Sequence, residues 1–146
     1  MNYKLQLDFK FEHTDDKMRL RIGDQIISPV GNHGSYSAKI DLPTTIFVYI
    51  EGKNEDKDTL FKDDIILKDR HIRLIGVKID GIMPNSDFIR RWPKLHVGGL
   101  DRNQKIYSHY WGFNGVVELI FEGNDPMTWL LRTNKFRDDS WQKNQE

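Results

Sequence analysis

Leu5, Leu7, Phe9 and Phe11 alternate with Lys4, Gln6, Asp8, Lys10 and Glu12 at the start of the chain. A period of two predicts a strand with one face in a core and the other in water. Met18, Leu20 and Ile22 repeat the pattern, Gly23-Asp24 supplies a two-residue turn, and Gln25-Ile26-Ile27 returns, which makes a hairpin. Pro29 to Gly34 reads as a loop. Tyr36, Ala38, Ile40 and Leu42 then alternate until Pro43 ends the strand, and Thr45 to Ile50 is β-branched and aromatic, as strands prefer.

The middle of the chain changes character. Glu51 to Asp64 is dense in charges of both signs, with Leu60 and Phe61 as its apolar residues, and reads as a long loop. Ile72 and Leu74, continued by Val77 and Ile79, predict a strand that closes on the turn signal Asp80-Gly81. Gly76 within it marks a bulge or a close backbone approach. Pro84 to Leu95 reads as irregular, with Trp92-Pro93 as anchor; Val97–Gly99 and Lys105–Tyr107 suit two short strands. Gly115 to Gly123 carries the strongest late strand, with Val117, Leu119 and Phe121 on one face. Asp125-Pro126 has the form of a helix start, Asp as N-cap and Pro at the first helical position, so Met127 to Arg132 should give one or two helical turns.

About eight short strands, many turns and almost no helix predict an all-β fold: an antiparallel β-sandwich or jelly roll with one short C-terminal helix. An open roll or small barrel is the alternative. With 146 residues there is room for one core and not two. The expected organisation is a single domain over 1–136 followed by a polar tail, 137–146. In that tail Trp141 stands alone among polar residues. Such a segment buries too little surface to order itself, so the expectation is that it docks on a partner.

Charge and composition narrow the function. Lysine plus arginine and aspartate plus glutamate both number 22, so the formal net charge is zero. Arg70-His71-Ile72-Arg73 and Arg90-Arg91 sit among acids rather than in a basic stripe, and nucleic acid is not an expected partner. Near-zero charge weakens colloidal repulsion, a hint of life inside an assembly. Cysteine is absent, which removes thiol catalysis, thiolate zinc sites and disulfides. The first residues form neither the apolar run of a signal peptide nor a transit helix, so synthesis in the cytoplasm is expected. The longest apolar run, Val116 to Phe121, is interrupted by Glu118, so no helical membrane span is expected either.

Catalytic patterns are missing. Nothing matches a phosphate loop, a dinucleotide fingerprint, a nucleophile elbow or a metallohydrolase motif. His13, His33, His71, His96 and His109 lack the spacing that would put two on one metal, although His96 and His109 flank the same irregular region. The pairs Asp15-Asp16, Asp63-Asp64 and Asp138-Asp139 lie in polar surroundings that would keep them ionised, unlike the protonated acid of a glycosidase. The expectation is that the protein is not an enzyme. Asp56, Asp58, Asp63, Asp64 and Asp69 do offer hard oxygens suited to calcium, but Lys53, Lys57 and Lys62 interleave, and a solvated charged loop is the plainer reading.

The most unusual segment is Tyr107-Ser-His-Tyr-Trp-Gly-Phe-Asn-Gly115. Its four aromatics cannot all face inward, because alternate side chains on a strand point to opposite faces. Some must line a groove, plug the end of a sandwich, or meet a partner. Trp92, Tyr107, Tyr110, Trp111, Phe113 and Trp141 are therefore the candidate partner- or sugar-binding residues.

Two resemblances bear on these residues. Asp69-Arg-His-Ile-Arg-Leu-Ile-Gly-Val-Lys-Ile-Asp-Gly-Ile82, after its acidic loop, resembles part of the calcium-dependent xylan-binding modules. That resemblance implies a β-sandwich with Asp56, Asp58, Asp63 and Asp64 as calcium ligands. Gly52 to Gly81, Tyr110-Trp-Gly-Phe-Asn-Gly-Val-Val-Glu-Leu-Ile-Phe-Glu122 and Trp129-Leu-Leu-Arg-Thr-Asn134 together are similar to small uncharacterised β-sandwich proteins of tailed bacteriophages. This second one implies a virion setting, with other virion proteins or copies of the chain itself as partners. The expectation is thus a non-catalytic structural or interaction protein of a phage particle, a head decoration or a tail or fibre component, with no cofactor. The alternative is a carbohydrate-binding module, with or without calcium.

Overall fold

A computed structural model describes residues 2–12, 18–52, 59–62, 65–69, 71–97 and 106–132. In chain order its strands are β1 (Tyr3–Phe11), β2 (Arg19–Ile22), β3 (Gln25–Ile27), β4 (His33–Ile40), β5 (Thr44–Glu51), β6 (Thr59–Lys62), β7 (Ile65–Asp69), β8 (Ile72–Ile79), β9 (Lys94–Val97), β10 (Ile106–Tyr107), β11 (Tyr110–Trp111) and β12 (Gly115–Phe121). Helix α1 (Ser86–Arg91) lies between β8 and β9, and residues 126–132 form a second helix, α2.

The strands make two antiparallel sheets and a separate β6–β7 hairpin. One sheet has four strands in the order β11-β8-β1-β4, the other six in the order β10-β9-β12-β5-β2-β3. The fold is an all-β sandwich. Alternation decides which side chains meet between the layers. Leu5, Leu7, Phe9 and Phe11 of β1 with Ile72, Leu74, Val77 and Ile79 of β8 face Leu20, Ile22, Val48, Ile50, Val117, Leu119 and Phe121 of the other sheet, all of them buried.

Turns follow the sequence signals. Asp80 and Gly81 both hold positive φ, 48° and 83°, as a two-residue type I′ hairpin turn requires. Ile79 and Ile82 exchange both backbone hydrogen bonds across it, at 3.0 and 2.9 Å. The pairing of β1 with β8 slips between Asp8 and Phe9, which face Gly76 and Leu74. Ile75 is the extra residue of that bulge and is partly exposed.

Three local expectations are corrected. Among the described residues there are twelve strands rather than about eight, because several strands are only two to four residues long. The stretch Glu51–Asp64, expected to be one long loop, contains β6, paired with β7. Pro84–Leu95, expected to be irregular, contains α1 and the start of β9. Asn85 caps α1 by accepting a hydrogen bond from the Phe88 backbone N–H at 3.0 Å. The expected C-terminal helix is therefore joined by a second one.

Candidate functional site

β12 pairs with β5 along its whole length, but with β9 only from Gly115 to Glu118. Past Glu118 no strand pairs with that edge of β12 among the described residues, and side chains from α1, the residue after it and α2 close over it. Trp92, just after α1, donates its indole N–H to the Ile120 carbonyl at 2.8 Å. Phe88 lies four residues earlier, so both rings project from the same side of the helix, with centroids 5.3 Å apart. Phe121 meets Trp92 edge-on at 4.9 Å. Trp129 of α2 completes the group, 5.6 Å from Phe121 and 6.2 Å from Phe88. Asp125 anchors α2 by accepting from the Thr128 backbone N–H and hydroxyl, each at 2.9 Å.

Over this cluster lies an open cleft of about 170 Å³, lined by Phe88, Trp92, Tyr107, Ile120, Glu122, Trp129 and Arg132. Tyr107 reaches it from β10, which pairs with β9 by placing Tyr107 opposite Lys94. The Ser108 N–H fixes that corner by donating to the Pro93 carbonyl at 2.9 Å. Phe88 and Trp129 are buried in the wall, whereas Tyr107 and Ile120 are partly exposed. Glu122 and Arg132 stand exposed at the rim. Trp129 has one further property: its indole nitrogen is buried with no hydrogen-bond acceptor. Leaving a buried donor unpaired costs about 1–3 kcal/mol, so such a group is a natural place for a ligand to supply the acceptor. Aromatic walls, a free donor and charged groups at the mouth together suit a small ligand with one apolar face and several hydroxyls.

The cleft opens beside the outer face of the six-stranded sheet, whose side chains run in cross-strand rows. His96, Val116, Tyr49, Arg21 and Ile26 form one row across five strands, and Tyr107, Lys94, Glu118 and Phe47 form another. Charges knit these rows together. Arg21 covers the Tyr49 ring at 4.2 Å and bonds Glu51 at 3.1 Å, and His96 meets Glu118 at 2.9 Å. Between them Ile26, Phe47, Tyr49 and Ile120 remain partly exposed.

The candidate residues from sequence are dispersed. Trp92 and Tyr107 come together in the cleft. Tyr110 lies on the other sheet, partly exposed and stacked on His71 with centroids 4.1 Å apart. Trp111 and Phe113 are core residues, 0% and 8% exposed, so neither is placed to meet a partner in this structure. Trp111 packs on Phe9 and donates its indole N–H to the Ser108 carbonyl at 2.9 Å. Burial of this pair follows from the sheet edge on which β11 lies: Trp111 opposes Ile72, whose side chain also points inward. His96 and His109 sit with different sheets, the His109 carbonyl accepting from Leu74 of β8. Asp56, Asp58, Asp63, Asp64 and Trp141 lie outside the described residues. Phe88, Ile120, Glu122, Trp129 and Arg132 were not singled out as site residues. The signal available for them was the Phe88–Trp92 spacing and the cap before Trp129.

No protein-family description matches the sequence, and no curated protein matches it. Two solved structures are similar in fold. One is vCBM60, described among calcium-dependent carbohydrate-binding modules, at 13% identity over 81% of this chain and 90% of that one, with a TM-score of 0.48. The other is vCBM60 in complex with galactobiose, at 12% identity over 80% of this chain and 97% of that one, with a TM-score of 0.46.

Proposed function

We propose that this chain is a non-catalytic binding module that takes a sugar ring into the cleft walled by Trp92, Tyr107 and Trp129. The observation that carries the reading is a cleft of aromatic side chains whose wall includes Trp129, an indole whose nitrogen is buried without an acceptor. A pyranose offers a C–H face to stack on aromatic rings and hydroxyl oxygens to accept from that indole. Glu122 would accept from, and Arg132 donate to, the outer hydroxyls. The test is titration calorimetry against neutral oligosaccharides, with Trp129→Phe and Tyr107→Ala alongside the wild type. Saturable binding that both substitutions weaken supports the reading; binding that neither changes, or none to any saccharide, overturns it. A chelator arm addresses calcium: loss of binding on chelation would bring in the candidate ligands Asp56, Asp58, Asp63 and Asp64, which lie outside the described residues, and binding that survives chelation would leave them out.

One observation favours a second reading, association with another protein. Ile26, Phe47, Tyr49 and Ile120 expose apolar surface on one sheet face, with Arg19, Arg21, Glu51 and Glu118 around them. Apolar centres with charged rims are how protein interfaces are built. The virion setting expected from sequence belongs with this reading, and sedimentation of the wild type against Phe47→Lys tests whether copies of the chain associate through that face.

A further inference from the structure

α1 has a second side. Away from the aromatic cleft, Ser86, Ile89 and Arg90 face Arg73, Ile75 and His109 across a separate cleft of about 180 Å³. Its polar groups are two guanidinium groups, a hydroxyl and an imidazole, with no carboxylate in the lining. Among the described residues no ion pair neutralises Arg73 or Arg90. The Nε of Arg73 is moreover buried with no acceptor.

The surrounding sheet adds to the positive charge instead of relieving it. Arg73 on β8 stands directly opposite Lys10 on β1, and Lys10 opposite His33 on β4. Like charges directly opposed on one sheet face are unfavourable. The two acids that flank Lys10 in the alternation are both engaged elsewhere: Asp8 by the Ser35 hydroxyl at 2.9 Å and the Gln6 amide at 3.3 Å, and Glu12 by His71 at 3.8 Å. His109 reports the same field: burial, then the charges of Arg90 and Arg73, push its pKa down, opposed only by a hydrogen bond with the Arg90 backbone. A chain of zero net charge has here gathered cations around a buried, unused donor.

We propose that the cleft between α1 and β8 binds a small oxyanion, the sulfate, phosphate or carboxylate group of a ligand, held by Arg73 and Arg90 with Ser86 and His109 beside them. Arginine suits this role because its planar fork presents paired N–H groups to such oxygens, and a charged acceptor makes those bonds short and strong. An oxyanion would satisfy the Arg73 Nε–H and screen the Arg73–Lys10 repulsion in one step. The site goes beyond the sugar cleft and does not depend on it.

The test is NMR titration of the full chain with sodium sulfate, inorganic phosphate and acetate, each against sodium chloride at matched ionic strength. The Arg73 Nε–Hε signal and the His109 ring signals should shift saturably with at least one oxyanion and not with chloride. Which of the three binds tightest separates a tetrahedral group from a carboxylate. Arg90→Gln, at an exposed helix position, should fold normally and weaken binding by about tenfold or more, the loss of a charge-assisted contact. Arg73→Lys, which keeps the charge and removes the fork, should also weaken it. Trp129→Phe should leave sulfate binding unchanged, so failure of the sugar reading and failure of this one are told apart. A response equal to that of chloride, or full binding by folded Arg90→Gln, overturns the proposal.

Discussion

The indole N–H of Trp92 donates to the carbonyl oxygen of Ile120 at 2.8 Å, linking residues 28 apart. It stands where, among the described residues, no strand pairs with this edge. β9 pairs with β12 no further than Glu118, so this edge would otherwise present an unpaired ladder group, and a side chain closes it. The same bond presses the Trp92 ring against Phe121 and sets one wall of the cleft. Trp92→Phe keeps a ring and loses the donor, so urea denaturation should show a loss of about 1 kcal/mol. Trp92→Ala also removes the packing and should cost about 2–3 kcal/mol, short of the full core value because the ring is only half-buried. Equal stability of Trp92→Phe and wild type would mean the bond is replaced by water without loss.

Tyr107 separates binding from stability. It is 41% exposed and sits on a strand of two residues. Tyr107→Ala should therefore change the unfolding free energy by less than about 1 kcal/mol. Saccharide affinity should fall by about tenfold, since an aromatic wall contributes on the order of 1.4 kcal/mol. Calorimetry and denaturation on the same preparation decide it, and a destabilised protein with unchanged affinity would make Tyr107 a scaffold residue.

Much of the sandwich is legible in the chain because strand burial has a period of two. Leu5 to Phe11 alternate in sequence and are the buried set of β1; Asp80-Gly81 announces its turn, Gly76 its bulge and Asp125 its cap. The aromatic segment obeys the expectation that its rings cannot all face inward: Tyr107 and Tyr110 are partly exposed while Trp111 and Phe113 are buried. Which pair would turn inward depends on pairing with β8, a contact between residues almost forty positions apart. α1 was missed although Asn85, Asp87, Arg90 and Arg91 are cap and dipole signals at the right places. Its six residues are too short for a helical period to stand out from the Pro-bounded loop around it. The two clefts were not legible for a different reason. Each is walled by segments far apart in the chain, and only strand order brings them together.

Gly115 is held by its surroundings. It begins β12, between β9 and β5, and an added Cβ would lie 2.6 Å from the His96 carbonyl oxygen and 2.8 Å from the Phe113 ring. The backbone oxygen cannot step aside without breaking the β9–β12 pairing that also positions Tyr107. Gly115→Ala should cost about 1–3 kcal/mol by overpacking, read as a lower denaturation midpoint. A neutral result would show that the Phe113 ring and β9 shift together at little cost.

Asp125 gives the fold a dependence on acid. Its carboxyl is held below the ordinary aspartate range by the hydrogen bond from the Thr128 backbone N–H and then by that from the Thr128 hydroxyl, both of which favour the charged form. A carboxyl whose pKa is lower folded than unfolded stabilises the native state above its unfolded value, about 3.9. That contribution shrinks as pH falls below this value and is gone once the folded group is protonated. Asp125→Asn can still cap α2 through its side-chain oxygen but cannot titrate. The thermal midpoints of wild type and Asp125→Asn should differ by a constant from neutral pH down to about 5, and the difference should close below about 4. Asp125→Ala, which has no cap at all, should melt lower than Asp125→Asn throughout. Because α2 carries Trp129 into the cleft wall, Asp125→Ala should also weaken saccharide binding at pH 7, where Asp125→Asn should not. If the difference between wild type and Asp125→Asn persists unchanged to pH 2, the charge of Asp125 does not contribute to stability and the cap acts through its geometry alone.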